Sequence, residues 1–307
     1  MPREVRHIPV LMNEVLEALR PAPGNVIVDC TLGLGGHSAE LLKQVGADGR
    51  VIAMDMDGGN LDLARPKLSA VGANFSLHHT NFAALPTVLA AEGLTRVDAI
   101  LADVGVASPQ IDDPARGFSY RQPGPLDMRM DPSRGQPASA LVNRLSEREL
   151  RDALLELGDE DDAPQIARLI IERRARRPIT TTEDLTAIVC EARDFTLKRA
   201  AGAKLHPAAR TFQALRMLVN REIANLERLL AVIPDCLRPG GRAAIISFHS
   251  GEDRIVKRAL REGHERGLYS SIAREPVVAT EAEQHANPRS RSAKLRWAER
   301  AAVADAL

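Results

Sequence analysis

The sequence predicts an α/β fold, with a parallel sheet flanked by helices and a helical domain inserted into it. Over the first hundred residues, short apolar segments rich in Val, Ile and Ala alternate with helical patterns. A stretch rich in Pro, Gly, Asp and Arg breaks that rhythm at 105–143. The next buried strand comes only at 242–248, about 140 residues after the fourth strand, and a crossover between strands needs far fewer residues.

The individual elements follow from the apolar pattern. In the first hundred residues it predicts helices at 11–20, 36–45, 58–70 and 82–92 and strands at 26–30, 50–55, 74–78 and 97–102. Further on it predicts helices that begin at Ser146, at 163–175, at Thr181 and at 210–233, and strands at 242–248 and 293–297. We therefore expect a Rossmann-like sheet domain formed by 1–107 and 212–307, with 108–211 as the inserted helical domain.

Composition restricts the function only slightly. Lys plus Arg and Asp plus Glu both number 41, so the net charge does not indicate a nucleic-acid partner. The three cysteines are far apart, which fits a reducing compartment, and the eight histidines lack the spacing of a metal site. No apolar run approaches the ~18 residues of a membrane span, and no signal-peptide core is present. We therefore expect a cytoplasmic protein without metal or membrane contact.

A glycine-rich turn and an acid suggest a nucleoside-containing cofactor. Directly after the first predicted strand come three glycines, Gly33, Gly35 and Gly36. Twenty residues after the second of them, Asp55 closes the next apolar run. In Rossmann-like folds such glycines let the backbone approach the cofactor, and the acid accepts its ribose hydroxyls. The alternatives are a tight strand–helix turn without ligand, and Asp57 as the ribose acceptor.

Three features favour S-adenosylmethionine over a dinucleotide. Ser38 stands where the dinucleotide fingerprint has its third glycine. Asp29 lies at the end of the first strand, where a carboxylate can take the positive end of a methionine moiety. The third feature is a resemblance, since a Leu-x-Pro-Gly-Gly segment between a helix and a strand, found here at 237–248, is common before the fifth strand of methyltransferases.

Longer segments make the resemblance specific. These are Asp103–Asp112 (DVGVASPQID), Arg116–Ser119, Gly124–Asp131 (GPLDMRMD), His206–Arg216, Ser247–Arg254 and Asn287–Arg296. Together they resemble the bacterial MraW/RsmH family from His7 to about Arg300. Its members methylate the exocyclic N4 of a cytidine in the decoding region of small-subunit (16S) ribosomal RNA. The sequence departs from the family pattern at Gly58-Gly59, at Ala107, at Gly251 and in the segment 158–161.

The resemblance assigns cofactor contacts to individual positions. Besides Gly33 of the turn, they are Gly35, Gly36, His37, Asp55, Phe82, Asp103 and Gln110. Phe82 follows the third strand, where an aromatic ring can cover an adenine, and it is equally suited to the core. The implied cofactor is S-adenosyl-L-methionine.

Methyl transfer from a sulfonium to an amine is an in-line displacement, so the enzyme mostly has to align the reacting atoms. We expect Asp103, at the end of the fourth strand, to hold the methionine part of the donor. Ser108 and Pro109 resemble the polar-Pro segment that amino-methyltransferases place beside the target amine. Ser108 and nearby carbonyls would then accept hydrogen bonds from N4, although the pair also suits a plain turn.

The expected partner is small-subunit rRNA, either free or in the assembled small ribosomal subunit. Side chains predicted to contact it are Arg116, Phe118, Arg129, His249, Arg289, Arg291 and Lys294. Phe118 also suits packing between domains, and His249 also suits a cap on Glu252. A second Arg cluster at 173–177 is either an RNA contact or a solvated helix end.

Three other functions fit parts of the sequence. A methyltransferase acting on a protein or small molecule would not need the Arg clusters, and salt-sensitive RNA binding separates it from the main hypothesis. An NAD-dependent dehydrogenase is disfavoured by the missing third glycine. A non-catalytic RNA binder is disfavoured because Asp55, Asp103 and Ser108-Pro109 are all present.

Overall fold

The computed structural model describes residues 8–203 and 206–302 of the chain. Contacts between Cα atoms divide the chain into two compact units. The first, here called the sheet unit, comprises Met1–Gly105 and Ile223–Leu307, and the second, the helical unit, comprises Val106–Glu222.

The described residues form eight strands and fourteen α-helices. The strands are β1 (Val26–Asp29), β2 (Arg50–Asp55), β3 (Phe75–His79), β4 (Val97–Asp103), β5 (Leu237–Ser247), β6 (Tyr269–Ile272), β7 (Val277–Val278) and β8 (Lys294–Arg300). The helices are α1 (Met12–Leu19), α2 (Gly36–Val45), α3 (Gly58–Ser69), α4 (Leu85–Ala91), α5 (Ser108–Asp112), α6 (Ala138–Arg144), α7 (Glu147–Gly158), α8 (Ala163–Arg174), α9 (Thr182–Ala192), α10 (Leu197–Ala201), α11 (Ala209–Asn220), α12 (Glu222–Cys236), α13 (Ser250–Glu265) and α14 (Glu281–Ala286).

The strands of the sheet unit form one sheet in the order β3-β2-β1-β4-β5-β8-β6, with β7 paired to β8. The first five strands are parallel, whereas β8 runs antiparallel to β5, β6 and β7. The predicted α/β fold with a Rossmann-like parallel sheet is therefore confirmed. β1, β2, β4 and β5 end together at one side of the sheet, here called the carboxyl edge. Since Lys294 pairs with Ser247, β8 begins at that same edge.

Two apolar cores cover the two faces of the sheet. Ile27, Val51 and Leu101 belong to one core, and the residues directly after them, Val28, Ile52 and Ala102, belong to the other. Successive residues of a strand point to opposite faces, so both faces of these strands are buried. This is why their sequences are continuous apolar runs rather than alternating ones.

The helical unit has a core of its own. α7 packs against α8 and α11, and α8 packs against α9. The predicted capping box at the start of α7 is present, because the Ser146 hydroxyl accepts from the Glu149 N–H and the Glu149 carboxylate accepts from the Ser146 N–H. Capping and an amphipathic face together explain why the sequence predicts this helix well.

The predicted helix at 210–233 is divided in the structure. Arg221 adopts a left-handed conformation with φ of 53°, which ends α11 before α12 begins. The division between the two units follows at Glu222 and Ile223, eleven residues after the expected boundary at 212. Phe212 and Leu215 explain the shift, because both side chains lie in the core of the helical unit.

Several elements of the structure have no counterpart among those predicted. They are all short or polar in sequence, namely α5, α6, α10, α13, α14, β6 and β7. The final strand extends to Arg300, three residues beyond its predicted end at 297. Charged residues at its end account for the missing part, since they interrupt the apolar pattern.

Candidate active site

The carboxyl edge brings three acids together, at the ends of β1, β2 and β4. They are Asp29, Asp55 and Asp103. All three follow apolar strands, and parallel strands place their carboxyl ends side by side. The acids differ in how the surrounding chain uses their carboxylates, and that difference indicates a role for each.

Asp29 is a buried acid that holds the glycine turn. Its carboxylate accepts hydrogen bonds from the Ser38 hydroxyl at 2.6 Å and from the Thr31 N–H at 3.0 Å. Only 1% of the residue is exposed, and burial raises the pKa of its carboxyl group. Both oxygens thus serve the turn and the start of α2, which favours Asp103 over Asp29 as the group that holds a cationic ligand.

Glycine is required at the three positions of the turn for different structural reasons. Gly33 and Gly35 adopt positive φ angles of 50° and 71°, where residues with a Cβ atom are strained. A Cβ atom at Gly36 would overlap the ring of Pro9. At Gly33 a Cβ atom would meet nothing within 4 Å, so this part of the turn faces open space. The turn is therefore tight on one side and open on the other, where a ligand can approach its backbone.

Asp55 supports the same turn from the neighbouring strand. One oxygen accepts from the Gly33 N–H at 2.8 Å, and the other accepts from the Asp57 N–H at 2.8 Å. The Asn60 amide donates to the first oxygen at 3.2 Å. Burial raises the pKa of Asp55 to about 6 despite these donors. The alternative acid, Asp57, is buried and accepts from the Gly59 N–H at the start of α3.

Asp103 is the acid whose carboxylate is least used by the protein. Its Oδ2 lies 3.8 Å from the Nδ1 atom of His37. Its Oδ1 is buried and has no hydrogen-bond partner among the residues that the structure describes. Burial raises the pKa of Asp103 to about 6; His37 opposes that rise, and the charges of Asp29 and Glu252 add to it. A buried acceptor without a partner is costly, so it indicates a place for a donor from a ligand.

His37 and Thr31 fix this acid in place. The Nε2 atom of His37 lies 2.9 Å from the carbonyl oxygen of Val10, which only accepts, so Nε2 carries the proton and donates. The ring is 6% exposed, and its other nitrogen faces Asp103. The Asp103 N–H donates to the Thr31 hydroxyl at 2.6 Å. Thr31 is a supporting residue that the sequence pattern did not single out.

Phe82 lies in a 3-10 helix, Phe82–Ala84, just after β3. Its side chain packs against the apolar core that contains Leu85 and Leu89 and remains partly exposed. The segment stays beside β2, because the Thr80 N–H donates to the Asp55 carbonyl oxygen at 2.9 Å. The ring therefore contributes to the core. Since part of it is exposed, contact with an adenine stays a prediction.

His249 and Glu252 form a second polar pair at the carboxyl edge. His249 caps α13, and its Nδ1 accepts from the Glu252 N–H at 3.3 Å. The Glu252 carboxylate is buried; its Oε2 accepts from the Phe248 N–H at 3.0 Å. Its Oε1 lies 3.0 Å from His249 Nε2, but the angles there do not make a hydrogen bond. The capping interpretation of His249 is therefore confirmed, and Glu252 is a further buried acid close to Asp103.

Three predicted site residues lie at the start of the helical unit. Ser108 and Pro109 are the first two residues of α5, and the Ser108 side chain lies outside what the structure describes. Gln110 is 3% exposed, and its side-chain oxygen accepts from the Ala107 N–H at 2.9 Å. The segment thus begins as a capped helix directly after the chain leaves β4.

Side chains of the helical unit that were predicted to contact RNA are engaged within that unit. The Arg116 guanidinium donates to the carbonyl oxygens of Arg129 and Met130 at 3.0 and 2.9 Å. Arg129 makes a forked pair with Asp127, at 2.8 and 2.7 Å. Phe118 is 8% exposed and lies in the helical core. Phe118 is thus a core residue, and because stacking of a base on its ring would require that core to open, its contact with RNA stays a prediction.

The Arg cluster at 173–177 is also largely paired. Arg174 donates to the carbonyl oxygens of Val142 and Leu145 at 2.7 and 2.6 Å. Arg173 pairs with Glu191, and Arg177 pairs with Asp184. These contacts tie α8 to its neighbours and favour the helix-end interpretation.

The basic run near the C-terminus has two different halves. Arg289 and Arg291 are exposed in a 3-10 helix that precedes β8. Lys294 lies 3.8 Å from Asp253, and Arg296 is buried in a forked pair with the same acid at 2.6 and 3.2 Å. The first half is therefore exposed to solvent at the carboxyl edge, whereas Arg296 is buried and structural.

Residues 8–203 and 206–302 contain no group of three His, Cys, Asp or Glu side chains arranged to hold a metal ion. No helix in these ranges has the length and apolar character to cross a membrane.

Comparison with known proteins assigns this arrangement to a family. A model described as the MraW methylase family matches residues 4–301. Ribosomal RNA small subunit methyltransferase H of Nitratidesulfovibrio vulgaris is 46% identical, over 98% of this chain and 87% of its own. The protein of the same name from Sorangium cellulosum is 46% identical, over 100% of this chain and 94% of its own.

Solved structures show a more distant likeness. An rRNA methylase from Streptococcus thermophilus is 12% identical, covers 94% of this chain and 93% of its own, and has a TM-score of 0.42. The sequence comparisons are much stronger, and the family model covers nearly the whole chain. The chain therefore belongs to the MraW methylase family, whose methyl donor is S-adenosylmethionine.

Proposed function

We propose that this protein transfers a methyl group from S-adenosylmethionine to the exocyclic N4 of a cytidine in the decoding region of small-subunit rRNA. The observation that carries the proposal is the Oδ1 of Asp103, a buried oxygen at the carboxyl edge that no described residue uses as a hydrogen-bond acceptor. The names of the relatives, which refer to small-subunit ribosomal RNA, support the substrate class. The choice of cytidine N4 rests on the resemblance of the sequence motifs.

The residues of the carboxyl edge fit the proposed cofactor. The Oδ1 of Asp103, which is buried and bonded to no described residue, is the proposed acceptor for the amino group of a methionine moiety. Asp55 lies at the end of β2, where ribose hydroxyls are held in this type of fold. The open side of the turn at Gly33 leaves room for the ligand. When bound, S-adenosylmethionine supplies an electrophilic methyl group on a positively charged sulfur.

The protein must orient and activate a weak nucleophile. The lone pair of cytosine N4 is delocalised into the ring, so the nitrogen reacts poorly until it becomes pyramidal. Acceptors aimed at its two hydrogens favour that geometry and help the nitrogen lose a proton. Ser108 and carbonyl groups of the segment after β4 are the proposed acceptors, since this segment follows Asp103 by only a few residues.

The test uses labelled S-adenosylmethionine and small ribosomal subunits that lack modification, with free rRNA as a second substrate. Mass spectrometry of the nucleosides should find N4-methylcytidine at one position of the decoding region. The two substrates distinguish free rRNA from the assembled subunit as the target. Label found on a protein or small molecule, or no transfer while the cofactor still binds, would reject the proposed substrate. An rRNA substrate would also place the enzyme in the cytoplasm.

Replacement of Ser108 by Ala is expected to lower turnover on substrate RNA about tenfold, because one hydrogen bond to the reacting amine is worth about 1–1.5 kcal/mol. Cofactor affinity should not change. Single-turnover kinetics with Ser119→Ala as the matched control measure the effect. Turnover equal to that of the wild type would remove Ser108 from the mechanism.

Cofactor affinity should fall as the pH is lowered from 7 to 5. Burial raises the pKa values of Asp55 and Asp103 to about 6, so both carboxylates lose their charge over this range. If only ionised Asp103 binds the cationic ligand, affinity drops about tenfold per pH unit below 6. Calorimetric titration measures this, and a constant affinity from pH 7 to 5 would contradict it.

The same pKa values have the opposite effect on folding. Each folded pKa lies above the ordinary value of 3.8, so these carboxyl groups favour the folded state most below pH 4. That contribution is lost as the pH rises to about 6. The fall in affinity at low pH should therefore not be a consequence of destabilisation by these two groups.

A further inference from the structure

Helix α13 has one buried face and one exposed face. Glu252, Val256, Leu260 and Gly263 are buried at helical spacing. Val256 and Leu260 enter the same core as residues of α12, and a Cβ atom at Gly263 would collide with the ring of Tyr269. This face packs the helix against the sheet unit, and the opposite face is exposed to solvent.

The exposed charges of α13 from Ser250 to Arg261 are all positive. They are Arg254, Lys257, Arg258 and Arg261, here called the cationic face. The two acids of this segment do not offset them, since Glu252 is buried and Asp253 pairs with Arg296 and Lys294. The first exposed acid on the helix is Glu262.

The ion pairs of the cationic face are weak or missing. Arg254 and Lys257 make no ion pair with any described residue. Arg258 lies 3.4 Å from Glu227, and Arg261 lies 3.6 Å from Glu265, with all four side chains at least half exposed. Exposed pairs of this kind contribute little and exchange readily for another anion.

The position of α13 links its cationic face to the carboxyl edge. The helix begins at Ser250, three residues after β5 ends there. The exposed Arg289 and Arg291 come to the same edge from β8. From its first cation to its last the face extends about 10 Å along the helix, enough to follow a nucleic-acid strand past more than one phosphate.

We propose that the cationic face of α13 binds the phosphate backbone of the RNA substrate. The identity of that RNA rests on the proposed function, whereas the preference for a polyanionic strand follows from the charges and their spacing. The contact is independent of base sequence, because phosphates carry no sequence information. It would hold the strand beside the carboxyl edge while a single base is placed for reaction.

The test compares two double variants that each remove two exposed cations. Arg254→Gln with Lys257→Gln changes the proposed surface. Arg96→Gln with Arg266→Gln is the control, since Arg96 precedes β4 at the opposite edge and Arg266 follows the far end of α13. Fluorescence anisotropy with labelled poly-uridine and with an unmodified small-subunit rRNA transcript gives Kd over a range of salt concentrations.

The surface variant should lose about 1.4 from the slope of log Kd against log salt on poly-uridine, since each cation on a single strand contributes about 0.7. At 0.15 M salt its affinity should be roughly tenfold lower, while the control keeps the wild-type slope. An unchanged slope in the surface variant, or an equal loss in the control, overturns the proposal. The thermal shift caused by S-adenosylmethionine checks that both variants fold.

This outcome is separate from that of the methylation assay. If no cytidine is methylated but the slope falls on poly-uridine, the proposed function fails and the RNA surface stands. If N4-methylcytidine forms and the slope is unchanged, the function stands and the surface is rejected.

Discussion

Replacement of Asp103 by Asn should lower the affinity for S-adenosylmethionine by about 30- to 150-fold. The carboxylate offers a buried oxygen that no described residue uses, and a hydrogen bond to a charged group contributes about 2–3 kcal/mol. The amide keeps the shape of the side chain but removes its charge. Isothermal titration calorimetry measures the loss, and methyl transfer should fall at least as much.

The stability of the same variant should move in the other direction. Burial and the nearby charges of Asp29 and Glu252 oppose ionisation of Asp103, so the neutral Asn variant should be at least as stable as the wild type near pH 7. Asp62→Asn, an exposed position on α3, removes the same charge elsewhere and should bind normally. Wild-type affinity in Asp103→Asn would refute the assignment of this acid to the cofactor.

Replacement of Gly35 by Ala should destabilise the protein by about 2–5 kcal/mol and abolish cofactor binding. The left-handed backbone costs a residue with a side chain about 1–2 kcal/mol. The new Cβ atom would also lie 2.9 Å from the Cβ atom of Ala64, and relieving such a contact costs about 1–3 kcal/mol. Urea unfolding measures stability, and calorimetry measures binding.

Gly24→Ala provides the matched control. Gly24 also has a positive φ angle, 83°, but a Cβ atom there meets nothing within 4 Å. This variant should lose only the backbone contribution and keep its cofactor affinity. If both variants lost the same stability, the contact with Ala64 would not be what requires glycine in the turn.

The sheet was predictable because burial on both faces leaves a simple pattern. β2 and α2 have the bounds that their sequences predict, at 50–55 and 36–45. The break at Arg221 was not predictable, because apolar residues continue at helical spacing across it and neither glycine nor proline marks it. Its cause is distant in sequence. The Asn220 side chain donates to the carbonyl oxygen of Met128 and accepts from the Met130 N–H, both at 2.8 Å.

The site was predictable in its positions but not in its partners. Topology alone places the acids of β1, β2 and β4 at one edge. The sequence does not show that Ser38 and Thr31 donate hydrogen bonds to the carboxylate of Asp29. Nor does it show that Asp103 has a buried oxygen that no described residue uses. Nor does it show that Arg116 folds back onto carbonyl groups of residues 129 and 130.

The placement of β5 beside β4 has a consequence for how the chain is made. β4 ends at residue 103, and its partner begins only at 237, after the entire helical unit has been synthesised. During synthesis, the first four strands therefore leave the ribosome before β5 is made, so the edge of β4 that will pair with β5 is exposed. An exposed apolar strand edge is prone to association with other chains. The helical unit is continuous in sequence and can pack its core in that interval. Nascent chains whose synthesis stalls after β4 and before β5 should thus be the species that most need a chaperone.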